Sequence, residues 1–206
     1  MNVKIKLCGM FRPCDIDYLN EAMPDFAGFV INFPKSHRSI TPETAKELRK
    51  LLSPDIKAVG VFVNEDISTC AKLASCGIID LIQLHGAEDS AYIKALRSKT
   101  SVPIIKAVKV MSAEDIDRAG KLGADYLLLD NGTGTGQQFD HSLIDPERIS
   151  APFFLAGGLT PENIAQAAKT VKPFAVDISS GIETDRVKDR EKMLAAVRAV
   201  RALKNI

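Results

Sequence analysis

The sequence predicts one α/β domain over residues 1–206, a single (β/α)8 TIM barrel with parallel strands. Three observations favour this fold class. The chain has 206 residues, of which 46% are hydrophobic and 26% charged, and one core accommodates this length because cores stop growing only near roughly 250 to 300 residues. Short apolar runs alternate with segments of helical spacing, and eight such runs occur, which is the strand count of the barrel.

The eight predicted strands are rich in Val, Ile, Leu and Phe, and they recur at roughly the interval that one strand, one helix and two short loops require. In chain order they read VKIKLC, FAGFVI, IKAVGVFV, DLIQL, PIIKAVKV, DYLLLD, PFFLA and FAVDIS. Because a parallel pair needs a crossover, which is usually a helix, the alternation predicts a parallel sheet. An open doubly wound sheet is the alternative, but its first turn is usually glycine-rich, whereas C-G-M-F-R has one glycine.

Helix start signals follow the predicted strands. In T-P-E-T-A-K-E-L-R-K-L-L, Thr41 is the expected cap and Pro42 occupies the first turn. The alternating charges of R-V-K-D-R-E-K-M, residues 186–193, predict a solvated entrance to the last helix. The other helices are expected to begin near Ser68, Glu88, Ser112 and Thr160, and the last to run from about Asp189 to Leu203.

Charge and cysteine usage exclude several classes of protein. A formal net charge of +1 gives no general attraction to nucleic acid or to an anionic membrane. The four cysteines contain no C-x-x-C pair and the three histidines are scattered, so neither a disulfide framework nor a metal site is expected. No long apolar stretch or signal-peptide pattern occurs, and we therefore expect a cytoplasmic protein.

Side-chain alternation separates the two faces of the first strand. The apolar positions 3, 5 and 7 are expected to pack against helices, so Lys4, Lys6 and Cys8 point into the barrel. The same alternation aligns Gln83 with His85. Because the carboxyl ends of the strands carry the chemistry in this architecture, position alone selects four candidates: Cys8, His85, Asp130 and Asp177.

Two late loops carry glycines where a phosphate site is expected. Gly157 and Gly158 directly follow the seventh strand, and Ser179, Ser180 and Gly181 follow the eighth. Glycines let the backbone approach a ligand closely, and successive N–H groups attract an anion. Each glycine could instead serve a tight turn. Their occurrence in the two loops that frequently build the phosphate site of (β/α)8 enzymes favours phosphate.

Eight segments, taken in order, resemble the phosphoribosylanthranilate isomerase family of tryptophan biosynthesis. They read K-L-C-G-M, G-F-V-I-N-F-P-K-S-H-R-S-I, V-G-V-F-V-N, Q-L-H-G, L-L-L-D, G-T-G-x-x-F-D, L-A-G-G-L-x-P-E-N and D-I-S-S-G-I-E. The resemblance covers nearly the whole chain. It implies a small-molecule substrate, no cofactor, and an Amadori rearrangement of N-(5-phosphoribosyl)anthranilate to 1-(o-carboxyphenylamino)-1-deoxyribulose 5-phosphate.

The resemblance also implies residue roles. Asp130 would be the general acid that protonates the ribose ring oxygen, and Cys8 the general base that removes the C2 proton. Arg38 would bind the anthranilate carboxylate, a planar group that a guanidinium fork fits. Asp177 would contact hydroxyl groups or orient polar neighbours, and His85 would line the pocket. These roles require a proton on the acid and a thiol tuned toward thiolate.

Two positions depart from the family pattern, since Phe11 replaces a threonine and His141 replaces a tryptophan. They bear on efficiency and on the loop after Asp130 more than on the reaction class. Two alternatives remain open. One is a histidine-pathway-like or dual-substrate phosphoribosyl isomerase, against which Cys8 argues because that chemistry uses an aspartate on the first strand. The other is a non-catalytic barrel that binds a phosphorylated metabolite. The family contains monomers and homodimers, and both states fit the sequence.

Overall fold

A computed structural model describes residues 3–130 and 151–205, together with Ile144 and Ile149. Eight parallel strands form a closed barrel, which confirms the predicted fold. Each strand pairs with the next along the chain, and β1 pairs with both β2 and β8, so that the sheet closes. The strands are β1 Lys4–Cys8, β2 Phe26–Ile31, β3 Lys57–Phe62, β4 Leu81–Leu84, β5 Ile104–Lys109, β6 Tyr126–Asp130, β7 Phe153–Leu155 and β8 Ala175–Ile178.

Helices cover the outside of the barrel. Thr41 caps α2 by accepting a hydrogen bond from the Thr44 amide at 3.2 Å, as predicted. The sixth helix begins four residues after Thr160, because a turn at residues 161–163 precedes it. The described α-helices are α1 Pro13–Ala22, α2 Pro42–Leu51, α3 Ile67–Ser75, α4 Ser90–Arg97, α5 Ala113–Ala119, α6 Ile164–Val171 and α7 Arg190–Arg201.

Apolar side chains fill two separate layers. Val3, Ile5 and Leu7 belong to the layer between sheet and helices, which confirms the alternation predicted for β1. The second layer lies inside the barrel at the amino ends of the strands. Its centre is Phe154, whose ring centroid lies 5.4 Å from that of Phe26. This apolar plug closes one end of the barrel, so the polar interior groups lie towards the carboxyl ends.

The predicted solvated entrance to the last helix is wrong at Lys188, which is only 3% exposed. Residues 183–188 fold as a β-hairpin in which Glu183 pairs with Lys188. Asp185 and Arg186 form its turn with φ values of 50° and 65°, as a type I′ turn requires. The hairpin turns the Lys188 side chain away from solvent. The alternation of charges along the chain could not predict this burial, because burial depends on the folded hairpin.

Two predicted features lie outside the described residues, namely the G-T-G-T-G loop that follows Asp130 and the substitution His141. Within the described part of the chain, no helix is both long enough and apolar enough to cross a bilayer. In that same part, no cluster of three or more His, Cys, Asp or Glu side chains could hold a metal ion.

Candidate active site

A cavity of about 330 Å³ opens at the carboxyl ends of the strands. It brings together nine of the ten residues predicted for the site, although they are spread over most of the chain. The exception is Gly181. The predicted residues that line the cavity are Cys8, Arg38, His85, Asp130, Gly157, Gly158, Asp177, Ser179 and Ser180.

Cys8 is the last residue of β1 and is 7% exposed. One layer deeper in the barrel, Lys6 is fully buried and donates a hydrogen bond from Nζ to Asp177 Oδ1 at 2.9 Å. Gly28 on β2 makes room for both groups, because a Cβ there would lie 2.6 Å from Cys8 Sγ and 3.1 Å from Lys6 Nζ. The ammonium of Lys6 therefore lies between a carboxylate and the thiol.

This environment sets the charge state of the thiol. Burial raises the pKa of Cys8, and the Lys6 ammonium opposes that rise while Asp177 adds to it. Burial lowers the pKa of Lys6, but its contacts with Asp177 and Cys8 outweigh burial and the net shift is upward. The net shift runs away from the thiolate that the role of general base requires. Lys6 remains charged and limits the cost of forming the thiolate.

His85 follows β4 at the edge of the cavity. Its Nδ1 forms a 3.0 Å hydrogen bond with the side-chain amide of Gln83. Desolvation at the barrel mouth lowers the pKa of His85, although Asp130 opposes this shift. The imidazole is therefore neutral at pH 7. Asp130, the last residue of β6, lines the same cavity.

The loop after β7 is held in an unusual backbone conformation. Gly157 and Gly158 have φ values of 93° and 64°, which residues with a Cβ rarely adopt. Asn163 holds the loop through two hydrogen bonds. Its Oδ1 accepts from the Thr160 amide at 2.8 Å, and its Nδ2 donates to the Gly158 carbonyl at 3.0 Å. The two glycines lie at the cavity wall, where a backbone without side chains admits a ligand closely.

The loop after β8 packs directly against the loop after β7. Gly181 lies in a 3-10 turn, Ser180–Ile182, and a Cβ at this position would collide with the Leu159 carbonyl oxygen. Gly181 therefore permits contact between the two loops rather than lining the cavity. Ser179 joins the same loop to β1, because its hydroxyl donates to the Cys8 carbonyl at 3.1 Å.

Arg38 reaches the cavity from the segment after β2, and its side chain is 20% exposed. Gly9, with φ +83°, leaves the space for it, since a Cβ there would collide with Arg38 Cδ. The guanidinium is paired with Glu183, to which Nε and Nη2 donate at 2.6 and 2.7 Å. Sequence reasoning did not identify Glu183 as a site residue, although it ends the D-I-S-S-G-I-E segment.

Lys6 is a second site residue that sequence reasoning missed as such. Alternation along β1 placed it inside the barrel, two residues before Cys8, and a lysine inside a barrel is costly to bury without a partner. The cost of burying Lys6 was therefore the feature of the sequence that could have identified it as a site residue. The partner, Asp177, is 171 residues away in the chain.

These features define a (β/α)8 barrel enzyme with its active site at the carboxyl ends of the strands. The family model described as N-(5'phosphoribosyl)anthranilate (PRA) isomerase matches residues 5–199. The chain therefore belongs to this family of isomerases in tryptophan biosynthesis, and the resemblance seen in the sequence is confirmed.

Individual members of the family align with this chain over nearly their full length. The N-(5'-phosphoribosyl)anthranilate isomerase of Endomicrobium trichonymphae is 43% identical over 97% of this chain and 99% of its own. The crystal structure of the Thermotoga maritima enzyme matches with a TM-score of 0.87 and 36% identity over 97% of this chain and 99% of that one. A family structure in complex with reduced 1-(o-carboxyphenylamino)-1-deoxyribulose 5-phosphate matches with a TM-score of 0.84 and 35% identity, with coverages of 97% and 99%.

Proposed function

We propose that the chain converts N-(5'-phosphoribosyl)anthranilate to 1-(o-carboxyphenylamino)-1-deoxyribulose 5-phosphate, with Asp130 as general acid and Cys8 as general base. One observation carries the assignment of roles: the thiol at the end of β1 and the carboxyl at the end of β6 line a single cavity with the glycine loops and Arg38. The reduced product bound to a relative supports a ligand of this shape.

Ring opening is the first step. Asp130 donates a proton to the ribose ring oxygen, the C1–O bond breaks, and the lone pair of the anthranilate nitrogen forms a protonated Schiff base at C1. The neutral His85 borders the same space, where it would line the site beside the acid.

Proton abstraction from C2 is the second step. The Cys8 thiolate takes the proton, the electrons of the C–H bond neutralise the Schiff base, and the resulting enolamine tautomerises to the ketone. Because burial raises the thiol pKa, the thiolate is scarce but is a stronger base than an exposed thiolate. Lys6 stabilises its negative charge, and Asp177 holds Lys6 in place. Asp177 also borders the cavity, where it would contact sugar hydroxyl groups.

The two ends of the substrate carry negative charge and are bound at separate places. Backbone N–H groups around Gly157, Gly158, Ser179 and Ser180 would hold the phosphate. Arg38 would hold the anthranilate carboxylate. Gly181 supports the phosphate site by bringing the two loops into contact. Fixing both ends leaves C1 and C2 of the sugar between the acid and the base, and this positioning is itself a large source of rate enhancement.

Turnover of two variants tests the acid and the base. Freshly generated phosphoribosylanthranilate is fluorescent, and its loss is followed with the wild type, Cys8→Ala and Asp130→Asn. We expect kcat to fall roughly 10²- to 10⁴-fold in each variant, the usual contribution of a general acid or base. Cys76→Ala is the matched control, because this thiol is exposed at the end of α3. Near-normal turnover in either variant removes that residue from its role.

A further inference from the structure

Arg38, the proposed contact for the substrate carboxylate, is already held by a carboxylate of the protein. Glu183 binds the side of the fork formed by Nε and Nη2, at 2.6 and 2.7 Å. Glu183 is 7% exposed and lies 145 residues away in the chain. Such a bidentate, charge-assisted pair fixes the plane of the guanidinium as well as its position.

Glu183 is itself fixed from two sides. Lys188 Nζ, fully buried, donates to Glu183 Oε1 at 2.7 Å and to the Ser179 carbonyl at 3.0 Å. Lys192 Nζ donates to the Glu183 backbone carbonyl at 2.7 Å. Burial raises the pKa of Glu183, but Arg38 and Lys188 outweigh it and lower the pKa to about 2. Glu183 therefore stays ionised at every pH at which the enzyme would work.

The guanidinium has donors left for a second carboxylate. It carries five N–H groups, and Glu183 takes one from Nε and one from Nη2. The remaining edge, formed by Nη1 and Nη2, is the one that fits another planar carboxylate side by side. Arg38 lines the cavity, whereas Glu183 is absent from its lining. Glu183 thus binds one edge of the fork without occupying the space of a ligand.

The ion-paired group at the fork carries an excess of positive charge. Arg38 and Lys188 both pair with Glu183, so that two cations share one carboxylate, and the Lys192 ammonium lies at the Glu183 carbonyl. His37 lies 3.6 Å from Glu183, but burial and the neighbouring Arg38 lower its pKa, so it adds no charge at pH 7. This excess favours a ligand that brings a carboxylate to this end.

We propose that Glu183, anchored by Lys188, is a positioning residue that aims the Arg38 fork into the cavity and makes the site selective for a substrate carrying one aryl carboxylate. This inference rests on the proposed function. Glu183 does not touch the substrate, and it acts by removing the freedom of the long arginine side chain before the ligand arrives. Preorganisation of this kind reduces the entropy that binding would otherwise cost.

Two ligands test the proposal. They are the product, and an analogue in which a phenylamino group replaces the o-carboxyphenylamino group, so that only the carboxylate is missing. In Glu183→Gln we expect the Kd of the product and the KM of the substrate to rise about tenfold, the effect of 1.4 kcal/mol, with little change in kcat. The Kd of the analogue should not change. Glu47→Gln, an exposed carboxylate on α2 that pairs with Lys50, is the matched control and should behave as wild type.

Other results overturn the proposal. Equal weakening of both ligands would mean that Glu183 only supports the fold, and tighter product binding would mean that it competes with the ligand. In the double variant with Arg38→Ala, Glu183→Gln should cause no further loss of product binding, and an additive loss also refutes the proposal. If Glu183→Gln has a disrupted circular dichroism spectrum, Glu183→Asp and Lys188→Met answer the same question by the same comparison of ligands.

The outcome is separable from that of the proposed function. Turnover by the wild type decides whether the chain is the proposed isomerase, whatever Glu183 does. The difference in affinity between the two ligands decides the role of Glu183. Wild-type turnover combined with an unselective Glu183→Gln variant would keep the function and discard the positioning role.

Discussion

Two buried lysines of this barrel form the same kind of ion pair on opposite faces of the sheet. Lys6 on β1 points into the interior, and its Nζ lies 2.9 Å from Asp177. Lys106 on β5 points outward, because its neighbour Ile105 belongs to the interior apolar layer, and its Nζ lies 2.9 Å from Glu88. Lys6 and Lys106 are 0% and 5% exposed, so neither charge is solvated.

The two lysines differ in their neighbours and therefore in their roles. Lys106 also donates to the Gly86 carbonyl at 2.6 Å, and Glu88 accepts from the Asn64 amide at 2.7 Å. This pair therefore joins the loops after β3 and β4 to β5. Lys6 instead has a thiol as its other neighbour. In the proposed mechanism, the face of the strand, rather than the chemistry of the pair, decides whether a buried charge serves the scaffold or the reaction.

The largest expected effect is on stability, and it is common to both pairs. Lys6→Met and Lys106→Met each leave a buried carboxylate without its cation, which costs about 3 to 5 kcal/mol of the free energy of unfolding. Urea unfolding measures this loss. Lys106→Met combined with Glu88→Gln should recover much of it, because no unpaired charge remains and the amide oxygen can still accept from the Asn64 amide. A cost below about 1 kcal/mol in either single variant would contradict the expectation that these pairs are desolvated.

Activity should separate the two pairs. Lys6→Met removes the cation that opposes the rise in the Cys8 pKa, and we expect kcat/KM at pH 7 to fall about 100-fold, the effect of one well-placed electrostatic group. Lys106→Met should keep the wild-type pH dependence of Cys8 alkylation by iodoacetamide, while Lys6→Met should shift this dependence to higher pH. Identical pH profiles for the two variants would show that Lys6 is only structural.

The wild-type pH profile tests the same thiol. The base must be deprotonated, and burial raises its pKa above the ordinary value. The thiolate fraction therefore grows with pH throughout the neutral range, and the rate at which iodoacetamide alkylates Cys8 should rise with it, by up to tenfold per pH unit. Measurements from pH 6 to 9, with Cys8→Ala as the reference for the other thiols, check this rise, provided that unfolding at each pH is excluded by circular dichroism. An alkylation rate that is flat or falls across this range would argue against Cys8 as the base.

The smallest expected effect is the acid sensitivity of the outer pair. Burial raises the pKa of Glu88, but Lys106 and backbone amides outweigh it and the net shift is downward. A carboxyl with a lowered folded-state pKa contributes stability that is complete above its ordinary pKa and is lost as the pH falls through the folded-state value. In Glu88→Gln, this part of the acid destabilisation should disappear in urea titrations below about pH 4.5. An unchanged slope against pH would show that Glu88 does not carry it.

Much of this architecture follows from local rules. Alternation along β1 predicted that Lys6 and Cys8 share the interior face, and the cap at Thr41 predicted the start of α2. The carboxyl ends of parallel strands meet at one end of a barrel. That rule was sufficient to predict that Cys8, Asp130 and Asp177 line one cavity.

Rules that consider only neighbouring residues in the sequence fail where the contacting residues are far apart in the chain. Arg38 was expected to bind the substrate carboxylate. The structure also pairs it with Glu183, which lies on a hairpin that the charge alternation did not predict. Gly181 was predicted at the phosphate from its place after β8, and that place did not predict its close approach to Leu159. In both cases the deciding contact joins two loops whose spacing along the chain carries no information about their distance.

Local properties of the sequence, namely side-chain period and connection length, are enough to predict the barrel, the order of its strands and the end at which the cavity lies. The direction of the Cys8 pKa shift, the burial of Lys188 and the partner of Arg38 emerge only from the folded arrangement. Each of these depends on desolvation and on Coulomb interactions, which are set by distances in space between residues far apart in the chain.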